Sequence, residues 1–489
     1  MNKFVAQASA ASNVTKTENG AKAFKSTLNA NLDFFGKSGN INYSNVVNDF
    51  LNAFAEDQDL AIRNLLHLRD VRGGKGIRTN ARSILTTIAE RYPQLITDTK
   101  LISTFVEVGR WDDIFEILKG AQKRPSNFVL NLIAEELRKE KPNALLCKWL
   151  PRQMVAKSKR KTNYDILPLL LQQRLKLSPK EYRKLLVANT QVVETPMCAR
   201  NWKEIKFQHV PSKAHKIYRN AFKEHTPDLY AAYLNKVEKG EVKIHSSTLW
   251  PHELIGPNGS LTNNQTIQAQ WNALPNYMPE GVSILPIIDV SGSMCSRVYD
   301  KYSALDVAVA LGMYSAERNK SVFKNLFMTF SSNPQFVDLS TSKTLEQKYR
   351  KTVNSDWGMS TDFFKAIDLI ISTAVKGKVS QEDMPKALVV FTDMQINGAR
   401  QTEDSIQKHL KTKFNDAGYE APMIVWWNIC GGGRVNSQAL PVTMSTYGTA
   451  LVSGYSPATI KAIFNVDFER FTPLNVMKET LLSDRYNWQ

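Results

Sequence analysis

The chain has 489 residues, with 43% hydrophobic and 10% aromatic content, which describes a folded protein of two or three domains rather than a disordered one. Its formal net charge is +17, which points to an anionic partner, and no run of ~18 apolar residues is present to span a membrane. Four scattered cysteines, Cys147, Cys198, Cys295 and Cys430, exclude a disulfide framework or a structural zinc site; with no apolar signal core in residues 1–13, they fit a cytoplasmic protein.

In chain order, residues 1–40 read as an N-terminal arm, rich at its start in Ala, Ser, Thr and Asn. From Tyr43 onward apolar residues recur at helical spacing: Val46, Val47, Phe50, Leu51 and Phe54, then Leu60 to Leu68, then Ile84 to Leu118. Breaks fall at Gly73-Gly74, Pro93, Gly109 and Gly120. Short-looped helices without a clean period predict a degenerate solenoid, so residues 41–248 are expected to form an all-α helical-repeat (HEAT-like) domain.

Two segments of that domain carry basic residues in suggestive positions. The run Arg69-Asp70-Val71-Arg72-Gly73-Gly74-Lys75-Gly76-Ile77-Arg78 reads in two ways. It is a helix C-terminus in which Gly73 takes the left-handed conformation, or a phosphate-contacting loop in which Arg69, Arg72, Lys75 and Arg78 meet an anion. It lacks the spacing of a P-loop. Trp111-Asp112-Asp113 fits the first turn of a following helix. Between Lys141 and Glu224 lie 19 Lys and Arg against 5 Asp and Glu, a net of +14. The densest cluster is Lys157, Lys159, Arg160 and Lys161, with Arg152 nearby. A solvated loop is the plain alternative, but the concentration of one sign predicts contacts to nucleic-acid phosphates, with RNA as partner. The histidines match no metal spacing, and no nucleophile elbow or His-Glu-x-x-His motif is present, so the protein is not expected to be an enzyme.

Residues 249–280 read as a linker, because Gly256-Pro257-Asn258-Gly259, Asn263-Asn264, Pro275 and Pro279 mark loops. Beyond it strands (282–289, 323–330, 335–339, 387–392, 422–429, 448–453) alternate with helices (302–318, 361–374, 401–414, 457–465). This predicts an α/β doubly wound domain with a mostly parallel sheet over residues 281–489.

The first of these strands ends in Asp289, and Ser291 and Ser293 follow at alternate positions around Gly292. One carboxylate and two hydroxyls aimed at one point supply part of the oxygen shell that Mg²⁺ (or Mn²⁺) needs. An Asx-turn closing the strand is the alternative for the bare motif. Asp393 ends a second apolar strand, and ligands of open α/β sheets bind beyond the carboxyl ends of strands. The pattern Asp-x-Ser-x-Ser resembles the metal-ion-dependent adhesion site of von Willebrand factor A-like domains. That resemblance implies a Thr and a second Asp from later loops, placed here at Thr361 and Asp393.

The order of helical repeats followed by an A-like domain is similar to the Ro autoantigen (TROVE) family. Still closer is an uncharacterised family found in viruses, bacteria and eukaryotes. The residues carrying this are Thr17 to Ala21, Leu68 to Gly76, Gly109 to Asp113, Val210 to Ser212, Ile287 to Met294 and Leu451 to Ser456. The Ro resemblance implies a ring of helices closed by the A-like domain, holding RNA in a ribonucleoprotein. The expected function is therefore a non-catalytic RNA-binding scaffold whose A-like domain holds an acidic protein partner through Mg²⁺, with no membrane role. The alternative is a protein–protein adhesion or assembly module, such as a viral structural component, without nucleic acid.

Overall fold

The hexapeptide Ile284–Asp289 offers no polar face until its last residue, so it is suited to a strand covered on both sides. A computed structural model describes residues 12–17, 19–41, 43–120, 123–152, 166–260, 264–330, 332–355, 357, 362–397, 406–430 and 439–489. Its strands are β1 (Val14–Lys16), β2 (Lys22–Phe24), β3 (Ile284–Asp289), β4 (Arg297–Tyr299) and β5 (Tyr302–Ser303). They continue with β6 (Leu326–Phe330), β7 (Gln335–Asp338), β8 (Ala387–Thr392), β9 (Met423–Asn428) and β10 (Thr449–Ser453). Six form one sheet in the order β10-β9-β8-β3-β6-β7, parallel except for the antiparallel edge strand β7. Successive residues alternate between its two faces. Ile284, Ile288, Val389, Phe391, Val425, Trp427 and Val452 join one apolar core, and Leu285, Ile287, Leu388, Val390, Ile424, Trp426 and Leu451 another. The expected α/β doubly wound class is what the structure has. The strand ranges lie close to those read from the sequence; helix Leu345–Val353 and the small hairpin β4–β5 were not foreseen.

N-terminal to the sheet the chain is mainly helical, including Val46–Glu56, Gln58–Arg69, Arg78–Arg91, Lys123–Arg138, Pro179–Asn189 and Ser212–His225. Local signals set several starts. The Asp57 side chain caps Gln58–Arg69 by accepting from the Leu60 amide, and Ser178 with Glu181 forms a capping box for Pro179–Asn189. The first core is continuous from these helices into the sheet, joining Phe50, Leu65 and Ile84 to Ile288 and Trp427. Residues 249–280, read as a linker, carry helices Pro251–Ile255 and Gln265–Asn272, and Leu254, Ile255, Ile267 and Trp271 belong to that core. The Gly and Pro signals there mark turns between packed helices, not a tether.

Residues 14–24 and the C-terminal tail cross between the two parts. The hairpin β1–β2 lies within the segment read as an arm, and it bridges to Asn397 and Leu440 of the sheet domain. Helix Ala30–Lys37 runs up to the end of β10, where a Cβ on Gly39 would sit 2.5 Å from the Gly454 amide nitrogen, so the two backbones meet only because Gly39 has no side chain. The C-terminal tail returns to the helices: Trp488 Nε1 donates to Asp59 at 2.9 Å and Arg485 pairs with Asp70 at 2.7 Å.

Candidate metal centre and basic surface

The sheet reverses its direction of growth between β3 and β8: from β3 the chain moves to β6 on one side, and from β8 to β9 on the other. Such a switch point leaves a crevice beyond the strand ends, where open α/β sheets bind ligands. Asp289 ends β3 and Asp393 directly follows β8, so the two carboxylates flank this crevice.

Asp289 is fully buried. One of its oxygens accepts from the Ser291 amide at 3.0 Å and the other from the Thr392 hydroxyl at 2.6 Å, both neutral donors. Burial raises the Asp289 pKa, and the Asp393 charge raises it further; the hydrogen bonds from Thr392 and Ser291 oppose the shift. Asp393 is 5% exposed and accepts from the Gln395 amide at 3.0 Å. The Ser291 and Ser293 hydroxyls lie 3.0 Å apart, and Ser293 is exposed while Ser291 is buried, so the cluster opens to solvent at Ser293. Thr361 lies outside the described residues.

Among the described residues no group of three or more His, Cys, Asp and Glu is arranged for a metal. The donor set at the switch point is of another kind: two carboxylates with Ser and Thr hydroxyls. Hard oxygen ligands suit Mg²⁺ rather than zinc. Two carboxylates that raise each other's cost of ionisation are the electrostatic setting a divalent cation relieves, so the residues present fit the ion. Thr392 was missed by sequence reasoning, although it sits directly before Asp393. No spacing rule distinguishes it from an ordinary strand threonine.

The basic residues divide differently. Arg69 and Lys75, expected at a phosphate, are buried. Arg69 pairs with Asp113 at 2.7 Å, and Asp113 also pairs with Arg82 at 2.7 Å while accepting from the Arg110 amide. Lys75 donates to the Phe35 carbonyl and to Ser38 and Ser453 Oγ, and burial pushes its pKa down to about 7. Neither side chain reaches a phosphate, because each is spent inside the fold. The left-handed residue of the run is Gly76 (φ +70°), not Gly73. Arg72, Arg78 and Arg152 are exposed. Lys157, Lys159, Arg160 and Lys161 lie outside the described residues.

A cationic cluster that the sequence did not reveal forms where helix Ser212–His225 meets the hairpin β4–β5. Lys216 is partly buried, and burial lowers its pKa; Glu253 opposes the shift, and the charges of Lys213, Lys301 and Arg219 add to it. Lys213 reaches Glu253 at 3.2 Å. Lys301 lies at the exposed tip of β4–β5, a hairpin anchored by the T-shaped packing of Tyr299 on Trp250 and of Tyr302 on His252.

These features define a helical array fused through a shared core to a doubly wound α/β domain with a candidate cation centre. The chain belongs to the family described as a domain of unknown function, DUF2828, which matches residues 17–163 and 171–280. Residues 283–480 match a second domain of unknown function, DUF7788. The chain is 28% identical to the uncharacterized protein L728 of Acanthamoeba polyphaga mimivirus, over 96% of this chain and 87% of the relative. Among solved structures, the Ro (RSR) protein of Deinococcus radiodurans aligns over 89% of this chain and 90% of that one, at 13% identity and a TM-score of 0.34. No helix among the described residues is long and apolar enough to cross a membrane.

Proposed function

We propose that this protein is a non-catalytic scaffold that holds an acidic protein partner through Mg²⁺ (or Mn²⁺) in its A-like domain and binds RNA on its basic helical surface. The observation that carries the first half is the burial of Asp289 beside Asp393 at the switch point, with the Ser291, Ser293 and Thr392 hydroxyls around them. Asp289 and Asp393 would supply the charge that retains the cation, and Ser291 and Ser293 the hydroxyl oxygens. Thr361, two residues before helix Phe363–Gly377 in the sequence, would add another. A bound Mg²⁺ offers an open coordination position to a carboxylate oxygen. The exposed Ser293 is where that oxygen would arrive.

The RNA half is favoured by Lys213, Lys216, Arg219 and Lys301, which gather four positive charges near the carboxylates Glu253 and Asp300. Phosphates neutralise such a cluster and release counterions. The four free cysteines suit a reducing compartment, and the cytoplasm is the location proposed for this scaffold.

Isothermal titration of Mg²⁺ into the full chain, followed by an Asp-containing peptide, tests the first half. Anisotropy of labelled single-stranded RNA at low salt tests the second. Cation binding without RNA binding would leave the assembly-module reading in its place.

A further inference from the structure

The hairpin β1–β2 lies against the segments that follow β8 and β9. Its turn is fastened to the loop that follows Asp393. Thr17 Oγ1 donates to the Ile396 carbonyl at 2.7 Å, and Asn19 Nδ2 donates to the Gln395 carbonyl at 2.7 Å. Gly20 forms an antiparallel bridge with Asn397. The turn is also closed on itself, because the Thr17 hydroxyl accepts from the Ala21 amide at 2.9 Å and the Thr17 amide donates to the Ala21 carbonyl at 2.8 Å. At the far end, Phe24 and Leu440 exchange two backbone hydrogen bonds, each 2.8 Å. Thr17 and Ala21 are buried, and Ala21 belongs to the core on that face of the sheet.

Gln395 is the meeting point. Its carbonyl accepts from Asn19, and its amide donates to the Asp393 carboxylate at 3.0 Å. The residue whose amide aims Asp393 is thus held at its carbonyl, in the next peptide group, by a residue 376 positions earlier in the chain. Residues that hold a metal ligand without touching the metal change its affinity by about ten- to a hundredfold.

We propose that Thr17 and Asn19, at the turn of the hairpin β1–β2, are positioning residues that strap the cation centre: they fix the loop 393–397 and, through Gln395, the direction of the Asp393 carboxylate. The proposal rests on the reading of Asp289 and Asp393 as a divalent-cation site. Cation affinity in the sheet domain then depends on Thr17 and Asn19, far from it in the chain.

The test is Mg²⁺ titration calorimetry on the full chain, paired with the metal-free melting temperature. Thr17→Val with Asn19→Ala should raise the Mg²⁺ Kd about tenfold or more. Thr17→Ser, which keeps the hydroxyl, should bind as the wild type does. Asn13→Ala removes the bonds that join Asn13 to Ser26 at the foot of the hairpin without touching the loop, so it should leave Mg²⁺ affinity unchanged even if it lowers the melting temperature. Asn19 is exposed, so Asn19→Ala alone serves if the double variant does not fold; it should weaken Mg²⁺ severalfold. Wild-type affinity in the folded Thr17/Asn19 variants overturns the proposal. So does an equal loss in Asn13→Ala, which would make the strap a matter of stability alone. A wild type that binds neither Mg²⁺ nor Mn²⁺ refutes the cation reading itself, and the strap with it.

Discussion

Lys75 and Ser453, 378 positions apart, meet inside the protein with Nζ 3.0 Å from Oγ. The same ammonium donates to the Phe35 carbonyl and stands 4.6 Å from the centre of the Phe35 ring. A lysine thereby pins the helical array to the end of β10 through neutral acceptors.

That pin should give the protein a pH signature. Burial lowers the Lys75 pKa to about 7 from an ordinary 10.5. Between those values the unfolded chain binds more protons than the folded one, so stability rises with pH across the window. Below about pH 7 both states are charged and the full burial cost applies. His67, beside it, is held to about 3 by burial and then by the Lys75 charge, so it stays neutral throughout. Lys75→Met should lose this slope. In urea unfolding, wild type should gain on the variant by roughly 1 kcal/mol per pH unit between pH 7.5 and 9. Parallel profiles would show that Lys75 is not the group responsible.

Asp289→Asn separates burial from cation binding. It removes a carboxylate whose pKa is raised by burial and by the neighbouring Asp393. Without metal, ionised Asp289 costs stability as pH rises above the ordinary carboxylate range, so at pH 7 the variant should melt at or above the wild type. With Mg²⁺ at a hundred times its Kd, the wild type should gain about 2.7 kcal/mol and the variant much less. Equal Mg²⁺ shifts in both proteins would remove Asp289 from the site.

Arg69→Met should be severe for a structural reason. It strips Asp113 of one of two cationic partners inside the fold, and breaking a buried pair costs about 3–5 kcal/mol. Chemical denaturation measures the loss. A stable variant with weakened RNA binding would contradict the burial.

The two basic clusters are expected to act separately. Lys213→Gln, Lys216→Gln and Lys301→Gln together should lower RNA affinity and flatten its salt dependence, by roughly 0.7 in slope for each single-strand phosphate left without a cationic partner. The same titration on Lys157, Lys159, Arg160 and Lys161 replaced by Gln decides whether that run contributes. An unchanged slope in the first variant would strike the helix–hairpin junction from the RNA surface.

The sheet and the Asp289 corner were legible because buried parallel strands are near-continuous apolar runs, and a charge ending such a run stands out. Asp393 was legible for the same reason. The fates of Arg69 and Lys75 were not. A cation in a glycine-rich run looks solvated until its partner is known, and Asp113 and Ser453 lie 44 and 378 positions away. The Lys216 cluster was hidden likewise, since Lys301 reaches it from another part of the fold. The supposed linker failed because glycine and proline signal turns without telling whether the pieces between them pack.

The carbonyl that Thr17 needs belongs to Ile396, 379 residues further on. At 5–20 residues per second, a ribosome delivers that partner roughly 20 to 80 s after Thr17 itself. Through that interval the turn of β1–β2 lacks the loop it fastens to, although β3 and β8, with which the helices share a core, are made before it ends. Docking of the hairpin is therefore a late event in the synthesis of this chain. A nascent chain stalled before Ile396 should leave the β1–β2 turn undocked and open to protease.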